Sequence, residues 1–443
     1  MALYTRNVLL SLGGGIILGV LLLNNFNLYN ATTHLYTLFT SLLNEGWILK
    51  TLGFAILVGS VMALMEKSGG IEAFVEYVEV KSTLVSSPRG ALMLSYFIGV
   101  VIFIESSITS LIAGAVGKPL CDKYKIPHAK LAFVCDSTSA PVSSLLVFNG
   151  WGALLLGLIT TQVDEGLLYG DSISILIDAV MYNFYAMSAL LVTFVAVWFK
   201  VDIGAMAQCK FKPSNYNARA REKTKVFYML VPVISIVFLV FLFLYLTGDG
   251  NILQGSGSSA IFYTMLVTLG LMFMLYVPSA TLSVKSYMQT SYRGAKTLFP
   301  IAMILLFAFA IGKVTTEMQT GLYLASLANE NLSVYFLAGV IFLLSSLIAF
   351  STGTSWGTFS IMIPVAVPMA VAMDANVALV LGAVISGGIF GDHCSPISDT
   401  TIISSMASDC EVIEHVRTQL PYALISGVIA FFMFVVFSFL SNG

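Results

Sequence analysis

Gly391-Asp392-His393-Cys394-Ser395-Pro396-Ile397-Ser398-Asp399-Thr400-Thr401 follows directly on the apolar run 377–390. The run reads as the first half of a membrane helix, and the stretch after it interrupts that helix. A charge near the centre of a bilayer costs about 2.5–3.5 kcal/mol on insertion scales, so such groups normally face a polar cavity and carry function. Opened backbone at that depth persists only where protein or water receives it. A second stretch of the same character, Cys135-Asp136-Ser137-Thr138-Ser139-Ala140-Pro141, also lies between apolar runs. In both, an Asp is followed within five residues by Ser and then Pro. We read the pair as two broken helices meeting at one ion site.

The rest of the chain fits a membrane setting. It is 58% hydrophobic and only 10% charged, with a mean hydropathy of +0.91, which excludes a soluble domain. Long apolar runs recur throughout, each read as long enough to cross a hydrocarbon core of about 30 Å. No basic tract points to nucleic acid. No Ser/His/Asp order, phosphate loop or metal-ligand helix suggests an enzyme or a resident cofactor. The five cysteines are odd in number and lack CxxC spacing, so they read as free thiols. The first apolar run, Val8–Leu23, lacks a small-residue cleavage site and reads as a retained helix.

Lys and Arg set the orientation. With the N-terminus inside, and with 90–119 and 333–373 as hairpins that enter and leave on one side, the loops 66–89, 118–130, 200–225 and 280–297 fall inside. These hold nearly all the basic residues, whereas 25–45, 163–171, 248–256 and 319–332 hold none. Only Lys50 and Lys313 fall outside the inner-side set. The same assignment shows helix, hairpin, broken crossing and helix twice, once starting outside and once inside. The expected fold is an all-α polytopic membrane protein, an inverted-topology repeat with two re-entrant hairpins and two broken helices. Residues 1–45 form an N-terminal helix and outer loop, and 46–199 a first transport repeat. Residues 200–297 form a basic cytoplasmic connection with two linking helices, and 298–443 the inverted second repeat. Secondary transporters have this pattern, with the site near the midplane.

Asp136 and Asp392 are the strongest site candidates, as ion- and proton-binding carboxylates and as Na+ ligands. Hydroxyls of Ser137, Thr138, Ser139, Ser395, Ser398 and Thr400 stand beside them. A bound cation lowers a buried carboxyl's proton affinity, so Na+ and H+ compete. The plainer alternative is that the aspartates cap half-helices. Asp399 is a second site carboxylate or a helix-start charge. Glu105 opens the first hairpin tip. The second tip, Ser351-Thr352-Gly353-Thr354-Ser355-Trp356-Gly357-Thr358, offers Thr352, Thr354 and Ser355 to an ion or substrate. Lys313 and Glu317, four apart, read as a pair, with a tethered counter-cation as the other role for Lys313. Asp178 lies near an outer surface or in the site. His393 adjoins Asp392 as a structural or titrating imidazole. His34, His128 and His415 read as solvated.

The run from Phe390 to Thr401, with His415-Val416-Arg417-Thr418-Gln419-Leu420-Pro421-Tyr422, resembles the NhaC family of Na+/H+ antiporters. So do residues 133–147 and the stretch Thr352-Gly353-Thr354-Ser355-Trp356-Gly357-Thr358. The resemblance extends from about residue 50 to the end. It implies a prokaryotic inner-membrane secondary transporter, often dimeric, with the family's functional acids at Asp136 and Asp392 and, less directly, at Asp399 and Glu105. The leading expectation is therefore Na+/H+ antiport by alternating access, with Na+, H+ and the lipid bilayer as partners. The alternative is Na+-coupled transport or exchange of a small organic acid or amino acid. A channel-like pore or membrane receptor is the third reading.

Overall fold

The computed structural model describes residues 8–70, 73, 87–103, 106–147, 149–212, 225–250, 255–319, 323 and 333–442, and within these ranges some side chains, that of Asp399 among them, are not described. Among these residues the regular structure is entirely helical. Among the described residues, eight helices are long and apolar enough to cross a membrane, or nine if one bent pair counts as a span. Large apolar side chains such as Phe238, Phe432 and Val436 face outward, as lipid requires, while Phe309, Phe342, Phe359 and Phe434 fill the interior.

Helices α1 (Val8–Leu23) and α2 (Leu28–Asn44) come first. The stretch expected as an outer loop is thus largely helical. Asn27 caps α2 by accepting from the Asn30 N–H, and Ala31, Leu38 and Leu42 form its buried stripe. Helix α3 (Gly46–Lys67) precedes the first hairpin, α4 (Pro88–Val101) and α5 (Ser106–Tyr124). Then come α6 (His128–Leu145), α7 (Gly150–Asp164), α8 (Ser172–Met181) and α9 (Phe184–Phe199). Helices α10 (Phe227–Thr247) and α11 (Gly257–Tyr276) lead to α12 (Val284–Glu317). The second hairpin is α13 (Val334–Thr352) and α14 (Ser355–Ala372), followed by α15 (Val377–Cys394), the short α16 (Asp399–Ala407) and α17 (Val412–Asn442).

One break lies where the sequence puts it. Helix α15 ends at Cys394, and Ser398 restarts the chain as α16 by accepting from the Thr401 N–H. The other does not. Helix α6 runs unbroken through Asp136 and Pro141, so Asp136 is mid-helix rather than at a break. Proline forfeits one backbone bond, but Thr138, Ser139 and Ser144 fold their hydroxyls back onto the carbonyls of Val134, Asp136 and Pro141. The interruption comes between Leu145 and Gly150, where Asn149 supplies a cap. Its Oδ1 accepts from the N–H groups of Trp151 and Gly152, both at 3.0 Å. Helices α6 and α7 meet there at a bend of 41°. A further break, absent from the sequence reading, divides the apolar run 172–199 at Tyr182 and Asn183.

Glycine sets the close contacts around the second hairpin. Gly353 turns it with φ +67°, and a Cβ there would also collide with the Ile397 carbonyl. Gly387 and Gly391, one turn apart on α15, lie against the backbone of α13, where a Cβ would strike the carbonyls of Phe342 and Ser346. Small residues at such spacing let membrane helices approach closely. Arg89, Lys125, Lys130 and Lys200, from three of the basic loops, line one pocket, so those loops share one end of the helix layer.

Gly391→Val should therefore cost about 1–3 kcal/mol through overpacking, seen as a lower unfolding midpoint of the detergent-solubilised protein. Gly270→Ala, where no atom lies within 4 Å of the new Cβ, should leave the midpoint nearly unchanged.

Candidate functional site

Asp136 projects from the middle of α6 into a polar cluster and is fully buried. Its Oδ2 accepts from Gln419 Nε2 at 2.7 Å, His415 Nε2 at 3.2 Å and Thr401 Oγ1 at 3.3 Å. Its Oδ1 is 3.4 Å from Ser404 Oγ, which also stands 3.1 Å from Ser110 Oγ on α5. Thr401 and Ser404 share one face of α16 because they are three apart. His415 and Gln419 share one face of α17 because they are four apart. Gln419 Nε2 also donates to the His393 carbonyl at 2.9 Å, which ties the end of α15 to the same carboxylate. His415 Nδ1, Gln419 Oε1 and His393 Nε2 are buried without a hydrogen-bond partner among the described residues.

Asp392 occupies the last turn of α15 and is also buried. Its Oδ2 accepts from Ser355 Oγ at 2.9 Å, at the first residue of α14, the helix end whose dipole favours negative charge. Tyr185 OH lies 3.1 Å from Nδ1 of His393, the residue beside Asp392, and the His393 carbonyl shares the Gln419 amide with Asp136.

The remaining expected residues take several places. Thr138 and Ser139 bond their own helix, as does Thr352, to the Ile348 carbonyl at 2.8 Å. Thr354 caps α14 by accepting from the Gly357 N–H, and Ser395 donates to the Phe350 carbonyl at 2.8 Å. Ser398 caps α16, with Thr400 Oγ1 3.0 Å from its hydroxyl. Ser137 is buried on α6. Asp399 is the first residue of α16, and Glu105 lies outside the described residues. Asp178 is exposed.

Three sequence expectations need correction. Lys313 donates to Ser41 of α2 at 3.2 Å, while Glu317 pairs with His34 at 3.0 Å, so the two do not pair with each other. Helix α2, unforeseen there, supplies both partners. His128 is buried and 3.1 Å from Asp122. His415 is not solvated but fully buried against Asp136. Sequence reasoning missed it together with Gln419, Thr401, Ser404 and Ser110. The available signal was spacing, Thr401 and Ser404 at i, i+3 and His415 and Gln419 at i, i+4, on the segments that follow the Asp392 stretch, whereas Ser110 comes from the first hairpin and carries no such signal.

The pattern of the Na+/H+ antiporter family matches residues 150–439, which includes Asp392, Thr401, Ser404, His415 and Gln419. This chain belongs to that family. An uncharacterized protein of Haemophilus influenzae is 34% identical over all of this chain and 89% of its own length. A malate-2H+/Na+-lactate antiporter of Bacillus subtilis is 35% identical over 25% of this chain and 23% of its own. The Alcanivorax borkumensis YdaH transporter shares the fold, with a TM-score of 0.61 at 16% identity, covering 92% of this chain and 88% of that one. The protein is a multi-pass membrane protein and a secondary transporter.

Gln419→Leu should remove the donor that joins Asp136 to the α15 carbonyl. A hydrogen bond to a buried charge is worth about 1.5–3 kcal/mol, so the unfolding midpoint should fall clearly, and Gln419→Glu should be at least as damaging because it faces one carboxylate with another.

Proposed function

We propose that the chain exchanges Na+ for H+ by alternating access, with Asp136 as the shared binding carboxylate and Asp392 as the second acid of the path. The observation that carries this reading is a buried carboxylate whose donors can change role. Hydroxyls of Thr401 and Ser404 rotate to offer lone pairs, and the Gln419 amide holds an uncommitted oxygen. Hard cations take such oxygen ligands. A proton held between Asp136 and His415, 3.2 Å apart, and Na+ at the carboxylate answer the same negative charge. Two cations crowded at one buried acid repel strongly, so each displaces the other.

A cavity of about 520 Å3, lined in part by Ser405, Asp409, Glu411 and Glu414, supports access from the end of the basic loops. Ser405 follows Ser404 on α16, and Glu414 precedes His415 on α17, so the cavity approaches the Asp136 cluster from that end. On the positive-inside rule this end is cytoplasmic, as is the N-terminus, and the membrane is the prokaryotic inner one. The repeated order of helix, hairpin, bent pair and helix supports two inverted halves, and we retain a homodimer as the assembly. Exchange of an organic acid is the weaker reading. The relative named for malate and lactate matches only a quarter of this chain, and Lys313 is bound to Ser41.

In proteoliposomes a Na+ pulse should drive protons the opposite way. Asp136→Asn should abolish this flux, and His415→Gln should lower it at least about tenfold, by the worth of a charged hydrogen bond. A wild-type protein whose pH gradient ignores both Na+ and Li+ would overturn the proposal.

A further inference from the structure

A second cavity, of about 270 Å3, lies between the N-terminal ends of α4 and α6 and the C-terminal end of α9. Its floor is the stacked pair Phe133 and Tyr422, with ring centroids 4.5 Å apart. Each lies three residues from a member of the Asp136 cluster, Phe133 from Asp136 and Tyr422 from Gln419. Around the opening stand Arg89, Lys125, Lys130 and Lys200. Lys130 is held by Asp202 at 2.5 Å, and among the described residues the other three have no acidic partner. Lys125 and Lys200 both adopt left-handed backbone, φ 54° and 58°, a conformation usually given to Gly or Asn.

Pro88, the first residue of α4, and Pro127, which precedes α6, both line the cavity, and Pro127 gives α6 no side-chain cap. The C-terminal ends of α5 and α9 line the same space and offset those two N-termini, so the positive field comes from the side chains, where three cations without an acidic partner among the described residues converge, the arrangement that favours an anion such as phosphate.

The surroundings say how the anion arrives. The Arg89 guanidinium lies 5.5 Å over the Trp198 ring. Trp198, Phe199 and Val201 are exposed beside the opening, as is Leu191 further along α9. Aromatic and basic side chains together mark the membrane–water interface, and basic pockets between helices hold lipid head groups. We propose that this cavity binds the phosphate of an anionic phospholipid, whose acyl chains run along the exposed face of α9. The space accepts a phosphate and its glycerol, whereas the chains stay outside.

Delipidated protein would be titrated with phosphatidylglycerol, phosphatidylcholine and inorganic phosphate, with binding read by native mass spectrometry and thermal unfolding. Phosphatidylglycerol should bind and raise the unfolding midpoint, and phosphatidylcholine should not. The double variant Lys125→Gln, Lys200→Gln should weaken phosphatidylglycerol binding about 30-fold, the effect of two surface cations. Lys125→Arg with Lys200→Arg should restore it, and circular dichroism should show every variant folded. Equal binding of the two lipids, or unchanged affinity in the Gln variant, would overturn the proposal. Protection by inorganic phosphate as strong as by phosphatidylglycerol would reject the lipid as the source.

Discussion

A carboxylate removed from water has to find its hydrogen-bond donors in the protein, and the fold around Asp136 answers that demand. Desolvating such a charge costs several kcal/mol, recovered only by good geometry and several partners. Helix α6 carries no such partners of its own, since its nearby hydroxyls are turned back on its backbone. The donors come instead from α16 and α17, and Gln419 extends the link to α15. The interruption at 395–398 follows from the same need. A continuous α15 would carry Thr401 and Ser404 past the acid, whereas a fresh helix started by Ser398 aims them at it.

The hairpins are tied to these interruptions by side chains. Asn149, which caps α7, donates to the carbonyl of Phe103 at the first hairpin turn. Ser395, which caps the end of α15, donates to the carbonyl of Phe350 near the second, and Ser355 reaches Asp392 from the start of α14. Asn183 joins the two bent segments from the side, donating to Ser144 of α6 and accepting from Ser386 of α15, at 2.9 and 3.0 Å. Polar contacts of this kind stand in for the hydrophobic drive that lipid does not supply between helices. A shift of one hairpin relative to the rest would be felt at the break bonded to it, and hence at the buried acids.

Legibility followed the range of the interactions involved. Apolar runs, basic loops, both hairpins and the Asp392 interruption could be read because lipid partition and backbone chemistry act on neighbouring residues. The Gly353 turn and the Ser398 cap are local in the same sense. Pro141 misled, since a proline inside a helix can be tolerated when serine and threonine hydroxyls and packed neighbours compensate. The 25–45 segment misled as well, because a helix with only a narrow apolar stripe looks polar along the sequence.

The sequence by itself determined that this chain lives in a bilayer, that it is helical, and that Asp136 and Asp392 are buried acids, because the cost of a charge in lipid does not depend on what folds around it. Only the tertiary structure decided which groups satisfy Asp136. His415 and Gln419 lie 279 and 283 residues away along the chain, and they meet the carboxylate because α17 packs against α6 and α16. A histidine near a helix start looks solvated until the opposing helices remove the water. Long-range packing fixes that burial, and no local pattern in the sequence records it.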